Sequence, residues 1–166
     1  QDRGASDVLF DMNSRYDVPG YGYQIAMGET ALAESWQSRD YLSHNHCMLG
    51  HLYSWLFSGI GGISQESGST AYKRIVIDPQ IVGDLRDARV SFRSPYGLIR
   101  SEWKDAPDEF VQTIEIPANA TARICLPATD PAKVTESGKP VSGRKDMAVE
   151  SGTDGRIELH VGSGVY

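Results

Sequence analysis

Hydrophobic positions recur with two different periods along the chain, and the change comes at Tyr72. Before it the pattern is helical and rich in aromatic residues. After the turn signal Asp17-Val18-Pro19-Gly20, the run Tyr21-Gly22-Tyr23-Gln24-Ile25-Ala26-Met27 predicts a short helix interrupted at Gly28. Propensity alone leaves residues 29–36 open between a continuation of that helix and irregular backbone. Farther on, Leu49, Leu52, Tyr53, Leu56 and Ile60 recur at three- and four-residue spacing. That spacing predicts a helix capped by Ser43 or Asn45 and closed by Gly59, Gly61 and Gly62.

From Tyr72 the period becomes two. Ile75 and Ile77 alternate with Arg74 and Val76, and Val90 and Phe92 precede the turn Ser94-Pro95-Tyr96-Gly97. Ile99, Ser101 and Trp103 follow it; then come Phe110, Gln112, Ile114 and Ile116, and Ala122, Ile124 and Leu126. Ser137-Gly138-Lys139-Pro140 is another turn, and Ile157, Leu159 and Val161 form a last strand after Thr153-Asp154-Gly155. Short alternating strands punctuated by Gly, Pro, Asn and Asp predict an antiparallel β-sandwich. Asn119-Ala120-Thr121 fits a glycosylation pattern but reads better as a turn between strands. The polar stretch Ser64-Gln65-Glu66-Ser67-Gly68-Ser69 reads as a linker, so the expected domains are residues 1–67 and 68–166. Two or three helices cannot enclose a core, so their apolar faces need partners: the sandwich, or a larger helical domain.

Composition narrows the classes. With 40% hydrophobic and 23% charged residues in 166, the chain has enough apolar matter for a globular core. A net charge of −6 argues against a nucleic-acid surface, which needs clustered cations to neutralise phosphates. No apolar run approaches the roughly 20 residues of a membrane span. The chain begins Gln1-Asp2-Arg3-Gly4, with neither an initiator Met nor the apolar stretch of a signal peptide. A piece of a longer protein is therefore expected. Cys47 and Cys125 lie far apart in apolar surroundings and read as buried free thiols.

Some lettering misleads. His44-Asn45-His46 spells a nuclease motif, but an acidic chain without a metal-binding ββα context makes that a coincidence. Neither His44 with His46 nor His46 with His51 falls at i, i+4, so no metal site is expected, and no cofactor either.

Three ordered segments carry a resemblance. They are Pro19-Gly20-Tyr21-Gly22-Tyr23-Gln24-Ile25, Gly28-Glu29-Thr30-Ala31-Leu32-Ala33-Glu34-Ser35-Trp36 and Asn45-His46-Cys47-Met48-Leu49-Gly50. Together they resemble the end of the catalytic domain of glycoside hydrolase family 78, the α-L-rhamnosidases. Beyond them, Tyr72-Lys73-Arg74-Ile75-Val76-Ile77-Asp78-Pro79-Gln80, Ser94-Pro95-Tyr96-Gly97 with Glu102-Trp103, and Ile116-Pro117-Ala118-Asn119-Ala120-Thr121-Ala122 are similar to its carboxy-terminal β domain. The resemblance covers nearly all of residues 17–127 in the family's order. The departures are Glu29 and Ala31 for Ala and Thr, Ala33 for a Trp, and Cys47 for an aromatic. The Ala33 change would open space beside Glu34.

The resemblance implies an α+β chain: carboxy-terminal helices of an α/α six-hairpin barrel, then an antiparallel β-sandwich. It also implies part of an inverting glycosidase that releases terminal α-L-rhamnose from glycosides or polysaccharides. In such a site one carboxyl protonates the leaving oxygen, and a second activates water on the opposite ring face. Glu34 matches the base, and His46 the sugar-contacting His; the acid belongs to the missing amino-terminal part of the parent chain, so the fragment alone is expected to be inactive. Trp36 can wall off Glu34 from water, and Trp36 and Tyr23 can stack on a sugar, with core packing as the plainer alternative. His46 also admits a structural role, satisfied by backbone. Glu29 has no assigned role, and His44 and His51 read as surface residues. Tyr53 and Trp55 are expected in the helical core and Trp103 in the sandwich core. The rival function is a self-contained carbohydrate-binding sandwich with a helical lead; a sandwich that merely braces the barrel is compatible with the first.

Overall fold

A computed structural model describes residues 5–152 and 154–166. Thr153, read as part of a turn, and the amino-terminal Gln1-Asp2-Arg3-Gly4 lie outside the described residues. The chain separates into two compact units. One runs up to Leu56 and takes in Val82–Asp84; the other comprises Phe57–Ile81 and Leu85–Tyr166.

The first unit holds three short helices: α1 (Ser6–Asn13), α2 (Tyr21–Ala26) and α3 (Leu52–Trp55). Helix α1 has no side-chain cap, and its Val8 and Met12 are exposed. Helix α2 falls within the run of residues 21–27 expected to be helical after the Asp17–Gly20 turn. Gly28 follows with φ +85°, a left-handed conformation that lets the chain turn away after the helix. Residues 29–36 resolve as irregular backbone.

The single helix expected before Gly59 does not exist. In its place stand a 3-10 turn (Cys47–Leu49), α3 and a π turn (Leu56–Ile60). These three windings differ in residues per turn, so a constant three- and four-residue spacing does not stay on one face. Leu49, Trp55 and Ile60 are buried, but Tyr53 is 74% exposed, against its expected place in a core. Neither Ser43 nor Asn45 is the cap of the 3-10 turn; His46 is, its Nδ1 accepting from the Met48 N–H at 3.1 Å.

The second unit is the sandwich. Its strands are β1 (Ile63–Gln65), β2 (Arg74–Ile77), β3 (Asp87–Ser94), β4 (Gly97–Asp105), β5 (Phe110–Ile116), β6 (Thr121–Leu126), β7 (Thr135–Glu136), β8 (Lys139–Pro140), β9 (Met147–Ser151), β10 (Ile157–Val161) and β11 (Gly164–Val165). One sheet runs β1-β2-β6-β10-β9, the other β11-β5-β4-β3, and β7 with β8 forms a small hairpin. The pairing is antiparallel except between β2 and β6, which are parallel. The reason is topological: the chain leaves β2, builds β3, β4 and β5 of the other sheet, and only then returns as β6, a crossover long enough to restore its direction.

Ile63, Ile75, Ile77, Ile99, Ile114, Ile124, Ile157 and Val161, drawn from both sheets, form one buried cluster. In β2 Val76 is buried as well as Ile75 and Ile77, so that strand does not alternate as expected. Trp103 is 3% exposed, as its core reading required; its Nε1–H donates to the Ile60 carbonyl at 2.8 Å. Ser64 and Gln65 belong to β1 rather than to a linker, because Ile63 anchors that strand in the sheet. Just before β1, Gly62 has φ +71°, and a Cβ there would sit 2.2 Å from the Pro79 nitrogen, so only glycine fits.

Candidate functional site

The irregular segment 29–36 gets its shape from outside itself. Gln24, 3% exposed on α2, donates from Nε2 to the Ser35 carbonyl at 3.1 Å, and its Oε1 accepts from the Ala33 N–H at 3.4 Å. On its other side the segment meets residues 43–46. The Glu34 N–H donates to the Ser43 carbonyl at 2.8 Å, and the His46 N–H donates to the Leu32 carbonyl at 2.7 Å. Two backbone bonds thus set Glu34 and His46 on paired stretches of chain. The Glu34 side chain completes the arrangement, its Oε2 accepting from the Ser43 N–H at 3.1 Å. One carboxylate oxygen is therefore held while the carboxylate as a whole stays half-exposed. Ala33 is 2% exposed, so its side chain is enclosed rather than facing solvent.

His46 is half-buried. Because its Nδ1 accepts the Met48 N–H, the neutral ring carries its proton on Nε2, which makes Nε2 a donor. The ring thus has both the backbone partner of a structural histidine and a free donor. Beside this pair is a contact that sequence reasoning missed. His44 Nδ1 lies 2.7 Å from Glu29 Oε1, with the Glu29 side chain only 10% exposed and that of His44 43% exposed. The two stand fifteen positions apart along irregular backbone, so no periodicity could have paired them.

Trp36 faces a different neighbour. It packs edge-on against Tyr21, with ring centroids 4.8 Å apart at 88°. The Tyr21 hydroxyl donates to the Leu49 carbonyl, and burial pushes that hydroxyl's pKa up. Tyr21 and Trp36 line a hollow of about 380 Å³ with Met12, Val18, Leu52 and Trp55, all within the first unit. Tyr23 stands half-exposed on α2, one residue before Gln24. Of the four residues singled out, Glu34 and His46 are brought together; Trp36 is tied to Tyr21 rather than to Tyr23. Among the described residues, no helix is long and apolar enough to cross a membrane.

Comparison with known proteins gives the chain its family. Residues 1–60 match the bacterial alpha-L-rhamnosidase 6 hairpin glycosidase domain, and residues 62–140 match the bacterial alpha-L-rhamnosidase C-terminal domain. An α-L-rhamnosidase of Streptomyces avermitilis is 31% identical over 142 residues, covering 80% of this chain and 14% of that relative. One from Formosa agariphila is 25% identical over 141 residues, covering 82% and 15%. The crystal structure of the Streptomyces avermitilis enzyme complexed with L-rhamnose superposes with a TM-score of 0.85 at 29% identity, covering 99% of this chain and 16% of that one. The native enzyme of Aspergillus terreus gives 0.76 at 29% identity, covering 99% and 17%. The chain spans only 14–18% of the curated relatives it matches. It belongs to the α-L-rhamnosidase family and corresponds to a carboxy-terminal portion of it, the end of the six-hairpin glycosidase domain followed by the carboxy-terminal β-sandwich.

Proposed function

We propose that this chain supplies the general base of an inverting α-L-rhamnosidase, and that Glu34 is that base. The observation that carries the reading is the Ser43 N–H on Glu34 Oε2, which orients a half-exposed carboxylate on a stretch paired with that of His46. Glu34 takes a proton from a water as that water attacks the anomeric carbon. The bond to the leaving oxygen breaks on the opposite face, where an acid from the amino-terminal part of the longer protein protonates it. The two carboxyls of an inverting pair stand roughly 6.5–9.5 Å apart, room for the water between them. His46 donates from Nε2 to a sugar hydroxyl, while Tyr23 and Trp36 offer ring faces for the apolar side of a pyranose. The ligand is a rhamnose-containing carbohydrate rather than a nucleic acid.

In this reading the barrel portion ends before β1, so the expected boundary between residues 67 and 68 moves upstream, and the sandwich from β1 onward has a structural role. With one carboxylate of a required pair, the chain alone does not hydrolyse an aryl α-L-rhamnoside. The rival, a sugar-binding sandwich, would need exposed aromatics; of Tyr72, Tyr96 and Trp103, Trp103 is buried, Tyr72 packs on Phe92 at 4.8 Å, and Tyr96 alone is left half-exposed without an aromatic neighbour among the described residues. The test is Glu34→Gln in the longer rhamnosidase. Removing a positioned base lowers rate by about 10²–10⁴, so kcat should fall by that much with KM nearly unchanged. Near-normal kcat would end the assignment.

A further inference from the structure

His44 had no role in the reading above, yet its surroundings are more specific than those of a surface histidine. An ionised carboxylate can only accept hydrogen bonds. At 2.7 Å from Glu29 Oε1, the neutral His44 ring must therefore carry its proton on Nδ1, which leaves the Nε2 lone pair free. His46 is the reverse: Nδ1 accepts from the Met48 N–H, and Nε2 bears the proton. Two imidazoles flanking Asn45 are thus fixed in opposite tautomers, one offering an acceptor and the other a donor. Both lie on the stretch whose Ser43 N–H holds the Glu34 carboxylate. The side chain of Glu29 is largely shielded while that of His44 is 43% exposed, so the His44 ring is open to a ligand although its Nδ1 is engaged.

We infer that His44 is a further sugar-contacting residue of this site, and that Glu29 is the positioning residue that fixes its tautomer. The ligand chemistry follows from the pair. A sugar hydroxyl can both donate and accept, so two hydroxyls of one pyranose can be read together: one donates to His44 Nε2, and the other accepts from His46 Nε2–H. Neither contact needs a charge on the ligand, which suits a neutral sugar. This rests on the reading of Glu34 as the base.

Two measurements test it. In the 166-residue chain, imidazole ¹⁵N shifts should report the Nδ1–H tautomer for His44 and the Nε2–H tautomer for His46. Glu29→Leu should abolish the His44 preference, whereas Glu29→Gln, which keeps an acceptor oxygen, should preserve it. A His44 ring in the Nε2–H form in the unsubstituted chain would overturn the inference. In the longer rhamnosidase, His44→Ala should lower kcat/KM roughly three- to tenfold, the effect of one neutral hydrogen bond. The loss should fall mainly on KM, because the contact is made in ground and transition states alike. Glu29→Leu should move kcat/KM in the same direction and Glu29→Gln should recover most of it. Glu34→Gln, run alongside, separates the failures. If it cripples kcat while His44→Ala stays within twofold of normal, the inference alone is wrong. If it leaves kcat intact, the site itself is misassigned and the inference falls with it.

Discussion

The sandwich unit buries its apolar residues against one another, whereas the amino-terminal unit leaves most of its own in the open. Of the eleven large hydrophobic residues exposed among the described residues, nine lie before residue 57, including Val8, Met12, Ile25 and Tyr53. The sandwich shows only Val111 and Val165. Its buried cluster draws on both sheets, while the buried hydrophobics of the other unit are few: Ala33, Leu49, Trp55 and Val82. The difference teaches where each unit gets its order. Strands that face each other across a filled interior sustain themselves. Helices of eight, six and four residues do not, since helices that short are marginal without tertiary packing. Apolar residues left open in such number fit helices whose partners belong to the rest of a six-hairpin domain.

The largest expected effect is on local opening. Amides of β4, β6 and β10 should exchange only on global unfolding, on the order of 5–15 kcal/mol for a domain. Amides between residues 29 and 50, held by scattered hydrogen bonds, should exchange by local opening at a small fraction of that energy. Limited proteolysis should likewise cut the amino-terminal unit first. Cleavage within residues 75–160 before any cut upstream would break the comparison.

A smaller contrast separates two isoleucines. Ile124 is 1% exposed in the two-sheet cluster, and Ile25 is 64% exposed on α2. Ile124→Ala should cost about 2–5 kcal/mol, from lost transfer energy plus the cavity left behind. Ile25→Ala should stay within about 0.5 kcal/mol. Denaturant midpoints of the two variants check this, and equal shifts would mean that the exposed set is packed after all.

The same contrast explains what could be read in the sequence. Ile99, Ser101 and Trp103, or Ile157, Leu159 and Val161, alternate because one face of each strand meets the core. The strand β9 escaped notice because only Met147 in it is buried and Glu150 and Ser151 are polar and exposed. In the amino-terminal unit few apolar side chains are buried, so spacing carries little information. The spacing implies one constant helical period across Cys47–Leu49, Leu52–Trp55 and Leu56–Ile60, where the winding in fact changes twice. Glu34 and His46 were legible only through ordered motifs, and the backbone bonds that set them side by side leave no trace in composition. The Glu29–His44 contact joins two irregular segments and was legible from nothing local.

The two cysteines extend the comparison to chemistry, one in each unit. The sequence makes Cys47 look like a buried thiol, but it is exposed, at the start of a 3-10 turn rather than inside a helix. Cys125 is 2% exposed on β6 and is the thiol that fits the buried reading. Burial, with the Asp78 carboxylate adding to it, raises its pKa from 9.0 to about 11, while Arg123 pulls the other way. A thiol-selective reagent in native buffer should therefore modify Cys47 first and reach Cys125 only when the sandwich opens, because the thiolate is the nucleophile. The shift also has a sign in stability. The unfolded thiol releases its proton near its ordinary value, while the folded one still holds it, so between those values the folded state binds more protons. Its contribution is complete below about pH 9 and is lost as pH rises towards 11, to an extent on the order of 1–3 kcal/mol. Other groups, the tyrosines among them, also titrate in that window, so the readout is a difference. Cys125→Val should show a shallower loss of stability from pH 9 to 11 than the unsubstituted chain. Parallel curves, or equal reaction rates for the two thiols, would mean that the sandwich opens around Cys125 as readily as the amino-terminal unit does around Cys47.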